Sequence, residues 1–267
     1  MQCVIPGQLS SLQIHHNNLM SITSNPRPPV LVVGMHNSGT SLLANILHEN
    51  GVFMGNNMSH CESHFFSIFA NDLLIMGGKG NWARVPIMSI ENVMAYRNTV
   101  GAFIKKHWMA DYLQWGYDGS SLWGIKDPRL CVLLPLYLDI FPGATVIYIH
   151  RNPEDVAASL CQKTKQGVGK RKNFKKWQRL CLEYTGRVDA CKERCTRYKE
   201  VQYEQLCTRP IPTVYDLLNF LNLRFTKKTE KLLSNVSPAR IGSYERWKGR
   251  RWFTWASKGQ SRKLRGK

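Results

Sequence analysis

The sequence has no apolar run long enough to cross a bilayer, so no transmembrane segment is expected. Its first residues, MQCVIPGQLSSLQIHHNNL, lack the basic stretch leading into an apolar core that marks a secretory signal. The eight cysteines lack the close pairs and neighbouring histidines of a zinc site. These absences predict a cytoplasmic protein with reduced thiols, no metal and no membrane span.

The first half of the chain carries no net charge. Residues 1–125 carry six basic and six acidic residues, whereas residues 126–267 carry 31 basic and 12 acidic residues and hold the whole net charge of +19. An even excess would favour general affinity for nucleic acid. A one-sided excess indicates a basic wall that faces an anionic ligand or partner, so a nucleic-acid partner is not expected.

The pattern of apolar segments predicts the fold class. Buried-type strands at Pro29–Gly34, Leu122–Lys126 and Thr145–His150 alternate with amphipathic helices, which is typical of an α/β fold with a parallel sheet covered on both faces. We expect one domain at residues 29–255, between an N-terminal tail at 1–28 and a basic tail at 256–267. Further helices are predicted at residues 63–74 and 177–197, and a strand at 200–206.

One motif has the outline of a phosphate-binding loop but lacks its lysine. The stretch VLVVGMHNSGTSLLANIL at residues 30–47 runs from an apolar strand through a loop bounded by Gly34 and Gly39 into an apolar helix. Such a junction binds anions through backbone N–H groups and the helix dipole. A Walker A loop would place lysine where this chain has Thr40, and no lysine or arginine lies anywhere in the stretch. A loop of this kind is less suited to ATP and Mg²⁺.

Two motifs together resemble the sulfotransferases that use 3′-phosphoadenosine 5′-phosphosulfate. GMHNSGTSLL, at residues 34–43, is similar to their 5′-phosphosulfate loop, and VIYIHRNPEDVAAS, at residues 146–159, is similar to their 3′-phosphate motif. QYEQL and ARIGSYERWK, at residues 202–206 and 239–248, resemble two further nucleotide-contacting segments. The resemblance implies a three-layer α/β/α fold, P-loop NTPase-like, with that nucleotide as co-substrate. It implies that the nucleotide is bound by His36, Asn37, Ser38, Gly39, Thr40, Ser41, Arg151, Ser159, Tyr203, Arg240 and Gly242.

The family's loop usually carries a cation where this chain has Asn37. Sulfuryl transfer needs positive charge at the leaving phosphate and sulfuryl oxygens and a base for the acceptor's proton. Lys126 ends a strand at the ligand-binding edge of the sheet and is the best replacement, with His36 as a second candidate. Asp127 and Glu62 are the candidate bases, and His60 and His64 have less support. The acceptor would be a hydroxyl or an amine, and carbohydrates are among the candidates.

Other interpretations remain open at this point. The chain could be an atypical small-molecule kinase, or a non-catalytic module that binds nucleotide or stacks single-stranded nucleic acid on the aromatics of YERWKGRRWFTW. Arg151 could be a surface residue paired with Asp155 in a turn, and Lys126–Arg129 a local ion-paired turn. The basic loop at residues 163–176 could be a lid, an acceptor-binding strip or a solvated loop.

Overall fold

The computed structural model describes residues 26–55, 62–72, 87–163 and 171–248. The predicted tails therefore lie largely outside the described residues, as do His60 and residues 164–170 of the basic loop. A five-stranded sheet, in which every pairing is parallel, forms the centre of the molecule, with the order β2-β3-β1-β4-β5. The strands are β1 (Val30–Val33), β2 (Val52–Phe53), β3 (Leu122–Lys126), β4 (Thr145–His150) and β5 (Arg197–Gln202).

Helices cover both faces of the sheet. They are α1 (Thr40–Glu49), a π-helix (Phe65–Asp72), α2 (Ile90–Met94), α3 (Arg97–Gln114), α4 (Leu130–Ile140), α5 (Pro153–Lys163), α6 (Arg171–Asp189), α7 (Tyr203–Thr208), α8 (Pro210–Phe220) and α9 (Lys227–Leu233). Short 3₁₀ helices lie at Lys192–Arg194 and Pro238–Arg240.

Alternation along β1 shows how the layers form. Leu31 and Val33 pack into a core with α3, α4, α5 and α6, whereas Val30 and Val32 pack into a second core with α1, α7, α8 and α9. Successive side chains of a strand point to opposite faces, so one fully apolar strand contributes to both cores. The three-layer α/β/α prediction is confirmed.

Two predicted elements were misplaced in the chain. The helix predicted at residues 177–197 begins earlier, at Arg171, and ends at Asp189, so α6 takes up the end of the predicted basic loop. The strand predicted at residues 200–206 is β5, which ends at Gln202, and Tyr203 instead begins α7. β5 is an edge strand whose sequence, RYKEVQ, is half charged and contains one buried residue, so apolar content did not reveal where it starts.

The strand order creates a ligand-binding crevice. β1 and β4 are neighbours, but the chain leaving β1 goes to β2 on one side and the chain leaving β4 goes to β5 on the other. The two connections diverge, which opens a crevice at the carboxyl ends of the two strands. The loop at residues 34–39 and Arg151 both lie at this point.

Candidate active site

The loop between β1 and α1 is built for close approach. Gly39 has φ +103, and a Cβ added there would lie 2.5 Å from the Tyr203 ring. A Cβ at Gly34 would lie 2.4 Å from the carbonyl oxygen of Ile149. Both positions therefore require glycine, one for backbone conformation and contact, the other for packing against β4.

The start of α1 is open to an anion. Gly39 is its N-cap and has no side chain that could cap the first N–H groups of the helix. Ser38 is buried, and its Oγ has no hydrogen-bond partner within the described structure. A buried hydroxyl without a partner is costly, and a ligand oxygen at this place would satisfy it. Thr40 is buried beside it, and Ser41 is half-buried.

Arg151, directly after β4, lies on the other side of the loop. Its Nη1 donates to the carbonyl oxygen of Asn37 at 3.0 Å, and its guanidinium lies 4.5 Å from the centre of the Tyr203 ring. Nη2 donates to the carbonyl oxygen of Arg240 and to Ser243 Oγ. The side chain is buried, and its Nε has no hydrogen-bond partner in the part of the chain described. Arg151 thus joins four segments of the predicted nucleotide site.

Asp155 anchors the C-terminal segment to this arginine. Its two carboxylate oxygens accept hydrogen bonds of 2.8 Å from the backbone N–H groups of Gly242 and Tyr244. Asp155 Oδ2 also lies 3.7 Å from Arg151 Nη2. Gly242 has φ +73, a conformation suited to glycine. Ser159 lies four residues after Asp155 on α5, so both are on the same helix face, and Ser159 is half-buried.

Lys126 and Glu62 form an ion pair at the end of β3. Lys126 Nζ lies 2.5 Å from Glu62 Oε1, although the two residues are 64 positions apart in the chain. The lysine side chain is 2% exposed and the carboxylate side chain 25% exposed. Lys126 is paired in register with Val32 of β1, which places it at the base of the loop. The structure therefore brings together two residues that were selected separately as cation and base.

His36 does not provide the missing positive charge. Its burial, together with the charges of Arg129 and Lys126, lowers the pKa of the imidazole to about 3. The ring is therefore neutral at pH 7. This leaves Lys126 as the candidate that compensates for Asn37, whose backbone has φ 65 and turns its carbonyl towards Arg151.

Asp127 lies next to Lys126 but is enclosed by donors. Asp127 Oδ1 accepts from the Arg129 backbone N–H and Nε, and Oδ2 accepts from Arg129 Nη2 and from Asn71 Nδ2. The residue is 1% exposed. Burial raises the pKa of its carboxyl to about 7, and the hydrogen bonds from the Asn71 side chain and the Arg129 backbone N–H oppose that rise. This geometry argues against the expectation that Asp127 takes a proton from an acceptor.

Three contributors were not found in the sequence as site residues. Ser243 lies in the segment at residues 239–248 but was not itself predicted, and Asn71 carries no local signal, because the contacts of both depend on the fold. The position of Asp155, four residues after Arg151, predicted only an ion pair with that arginine in the turn. Its bonds to the C-terminal amides depend on a contact across 87 and 89 residues.

The fold and site define a class before any comparison: an α/β protein with a lysine-free phosphate loop at the crevice between β1 and β4. A family model described as "Sulfotransferase family" matches residues 28–227. The chain belongs to the sulfotransferase family, whose members are transferases.

Solved structures agree on the fold. The sulfotransferase domain of the olefin synthase from Synechococcus PCC 7002 superposes with a TM-score of 0.55 at 16% identity, covering 83% of this chain and 88% of that one. The sulfotransferase domain of the curacin biosynthetic pathway gives a TM-score of 0.51 at 15% identity, covering 77% of each chain. A comparison with curated protein sequences finds no match.

Two further predictions concern membranes and metals. No helix in the described part of the chain is long and apolar enough to cross a membrane. Among the same residues, no group of three or more His, Cys, Asp or Glu side chains could hold a metal ion. The cytoplasmic location and the domain boundaries remain predictions.

Proposed function

We propose that this sulfotransferase uses 3′-phosphoadenosine 5′-phosphosulfate as its donor and transfers the sulfuryl group to a hydroxyl or amine. The observation that carries the proposal is a pair of anion-binding positions on either side of the loop after β1. Lys126 and the open start of α1 form one position, and Arg151 forms the other. A nucleotide with phosphates at both its 3′ and 5′ positions needs two such sites.

The residues fit the nucleotide because two buried donors lack partners. Ser38 Oγ and Arg151 Nε are both buried and, within the structure described, form no hydrogen bond. Ser38, Thr40, Ser41 and the first amides of α1 would hold the 5′ end. Arg151 would hold the 3′-phosphate. Its present partner Ser243 and the nearby Ser159, Arg240 and Gly242 would complete that end, with Tyr203 alongside.

The chemistry assigned to the chain is limited to two side chains. When bound, the co-substrate supplies a sulfuryl group on a good phosphate leaving group. Lys126, held beside the loop, would stabilise negative charge that develops on the oxygens during transfer. Glu62 would remove the acceptor's proton, because it is part-exposed and lies against Lys126, whereas Asp127 is enclosed. Carbohydrates are among the proposed acceptors, and the basic C-terminal half would suit an acidic one.

Calorimetric titration of the full chain with 3′,5′-bisphosphoadenosine tests the donor assignment. We expect binding to the wild type, and for Arg151→Ala a loss of roughly 10- to 100-fold, the usual worth of a charged hydrogen-bonding partner. Arg179→Ala is the matched control, because Arg179 lies on α6 with its side chain 68% exposed and pairs with Glu183. Adenosine 5′-phosphate, which lacks the 3′-phosphate, should bind both arginine variants like the wild type.

Two outcomes would overturn the proposal. One is a wild-type protein that ignores the bisphosphate, and the other is an Arg151→Ala variant that binds it unchanged. Mg²⁺-dependent binding of ATP in their place would support a kinase. If bisphosphate binds as expected, transfer of labelled sulfate to panels of sugars, phenols and amines identifies the acceptor class.

A further inference from the structure

A buried polar cluster lies behind the ion pair of Lys126 and Glu62. We call it the latch, and it consists of Asn71, Asp127, Arg129 and Tyr137. We propose that the latch is a positioning device, in which Asp127 holds the π-helix so that Glu62 stays on Lys126. The inference rests on the proposed function, because it assigns Asp127 a role in the same site without contact to substrate.

The first argument is that hydrogen bonds from Arg129 and Asn71 already occupy both carboxylate oxygens of Asp127. Arg129 donates from Nε and Nη2 at 2.9 and 2.6 Å, and its backbone N–H donates at 2.8 Å. Asn71 Nδ2 donates at 2.9 Å. A carboxylate offers about four lone-pair sites, so these bonds occupy the group. Asp127 therefore acts as a structural acceptor.

The second argument is that the latch reaches the π-helix at two places. Arg129 Nη2 donates to the carbonyl oxygen of Ser67 at 2.7 Å, near the start of that helix. Asn71, near its end, bonds Asp127 through its amide nitrogen and accepts from Tyr137 Oη at 2.6 Å through its oxygen. Two anchors four residues apart fix the position and the rotation of a single helical turn. π-helices are rare and frequently lie at functional sites.

The third argument is that the π-helix leads directly to Glu62. Ser67 N–H donates to the carbonyl oxygen of Ser63 at 2.9 Å, so the residue after Glu62 is tied to the helix. Ser63 is buried, and Gly55 lies so close that a Cβ on Gly55 would approach the Ser63 backbone to 2.9 Å. The backbone beside Glu62 is thereby confined from both directions.

Through these contacts the end of β3 positions both members of the ion pair, Lys126 and Glu62. Lys126 ends β3 and supplies the cation, and the next residue, Asp127, begins the latch that positions the carboxylate. Because Lys126 and Asp127 are adjacent, the same turn fixes the cation and, through the latch, the carboxylate that lies 2.5 Å from it. Positioning of this kind matters because reactive groups displaced by about 1 Å can lose on the order of 100-fold in rate.

The decisive variant is Asp127→Asn, which keeps the shape of the side chain and removes its charge. If the latch holds Glu62, weakening it should expose Lys126, which is 2% exposed in the wild type. We expect an amine-reactive ester to label Lys126 roughly tenfold faster, as read by mass spectrometry of its peptide. Amide hydrogen exchange across residues 65–72 should accelerate, while exchange in β1 and β4 stays slow.

Asp139→Asn is the matched control. Asp139 also pairs with arginines, Arg97 and Arg194, but it lies on the far part of α4 and its side chain is 19% exposed. Its variant should leave Lys126 labelling and exchange across residues 65–72 unchanged. If Asp127→Asn does not fold, Asn71→Ala removes one anchor and leaves the Asp127–Arg129 pair, and it should change both readouts in the same direction.

Failure of the latch can be separated from failure of the proposed function. Labelling and exchange need no substrate, so unchanged values in a folded Asp127→Asn or Asn71→Ala variant overturn the latch even if bisphosphate binds. With an acceptor in hand, Asp127→Asn should lower kcat while KM for the nucleotide changes little. The acid limb of the pH–rate profile should persist in Asp127→Asn. Its loss in that variant would make Asp127 the base.

Discussion

The ion pair between Lys126 and Glu62 makes an asymmetric prediction about stability. The lysine side chain is 2% exposed, whereas the carboxylate side chain is 25% exposed. Removing the carboxylate with Glu62→Ala leaves a buried ammonium without its partner. Removing the ammonium with Lys126→Met leaves a carboxylate that water can reach and puts an apolar side chain of similar length into a buried position.

The expected magnitudes follow from this difference in burial. Breaking a buried pair by removing one partner costs about 3–5 kcal/mol when the remaining charge is fully enclosed. Glu62→Ala should approach the lower end, about 3 kcal/mol, because its Nζ partner is enclosed but lies at the edge of a site. Lys126→Met should cost about 1 kcal/mol or less, because an apolar replacement of a buried charge is often neutral.

Urea unfolding of both single variants and of the double variant measures the effect. The cycle should give a coupling energy of roughly 1–3 kcal/mol, as expected for residues in direct contact. Two results would refute the reasoning. One is additivity within about 0.5 kcal/mol, which means that the pair does not form in solution. The other is a larger loss for Lys126→Met than for Glu62→Ala, which means that the assigned burial is reversed.

Three other substitutions test separate features of the site. Gly39→Ala should lower stability by about 1–3 kcal/mol and reduce bisphosphate binding, because φ is +103 and the new Cβ meets Tyr203, whereas Gly186→Ala, with nothing within 4 Å, should be neutral or stabilising. His36 has a folded pKa of about 3, below its unfolded value, so its contribution is present above pH 6.5 and is lost as pH falls. His36→Gln should therefore shrink the difference in unfolding free energy between pH 7.5 and pH 5 by about 2 kcal/mol. Asp155→Ala should weaken bisphosphate binding roughly tenfold in calorimetry and speed proteolysis of the C-terminal segment, because two backbone amides lose their acceptor.

Several features were predictable because they are local. The apolar strands β1, β3 and β4 and the glycines of the loop after β1 depend on residues close together in the chain. The positions of Lys126 at the end of β3 and of Arg151 directly after β4 followed from the same apolar pattern. Since the carboxyl ends of parallel strands meet at one edge, their proximity could be expected. The start of β5 was not predicted, because an edge strand needs little apolar sequence.

What the sequence alone determined is the fold class, the family and the fact that the phosphate loop has no cation of its own. The tertiary structure decided which residues stand near that loop. It pairs Glu62 with Lys126. It lowers the pKa of His36 through burial beside two cations, so that the ring is neutral. It also surrounds Asp127 with hydrogen-bond donors from Arg129 and Asn71. The physical reason is that charge state and access to solvent depend on neighbours brought from distant parts of the chain, and no local pattern encodes them.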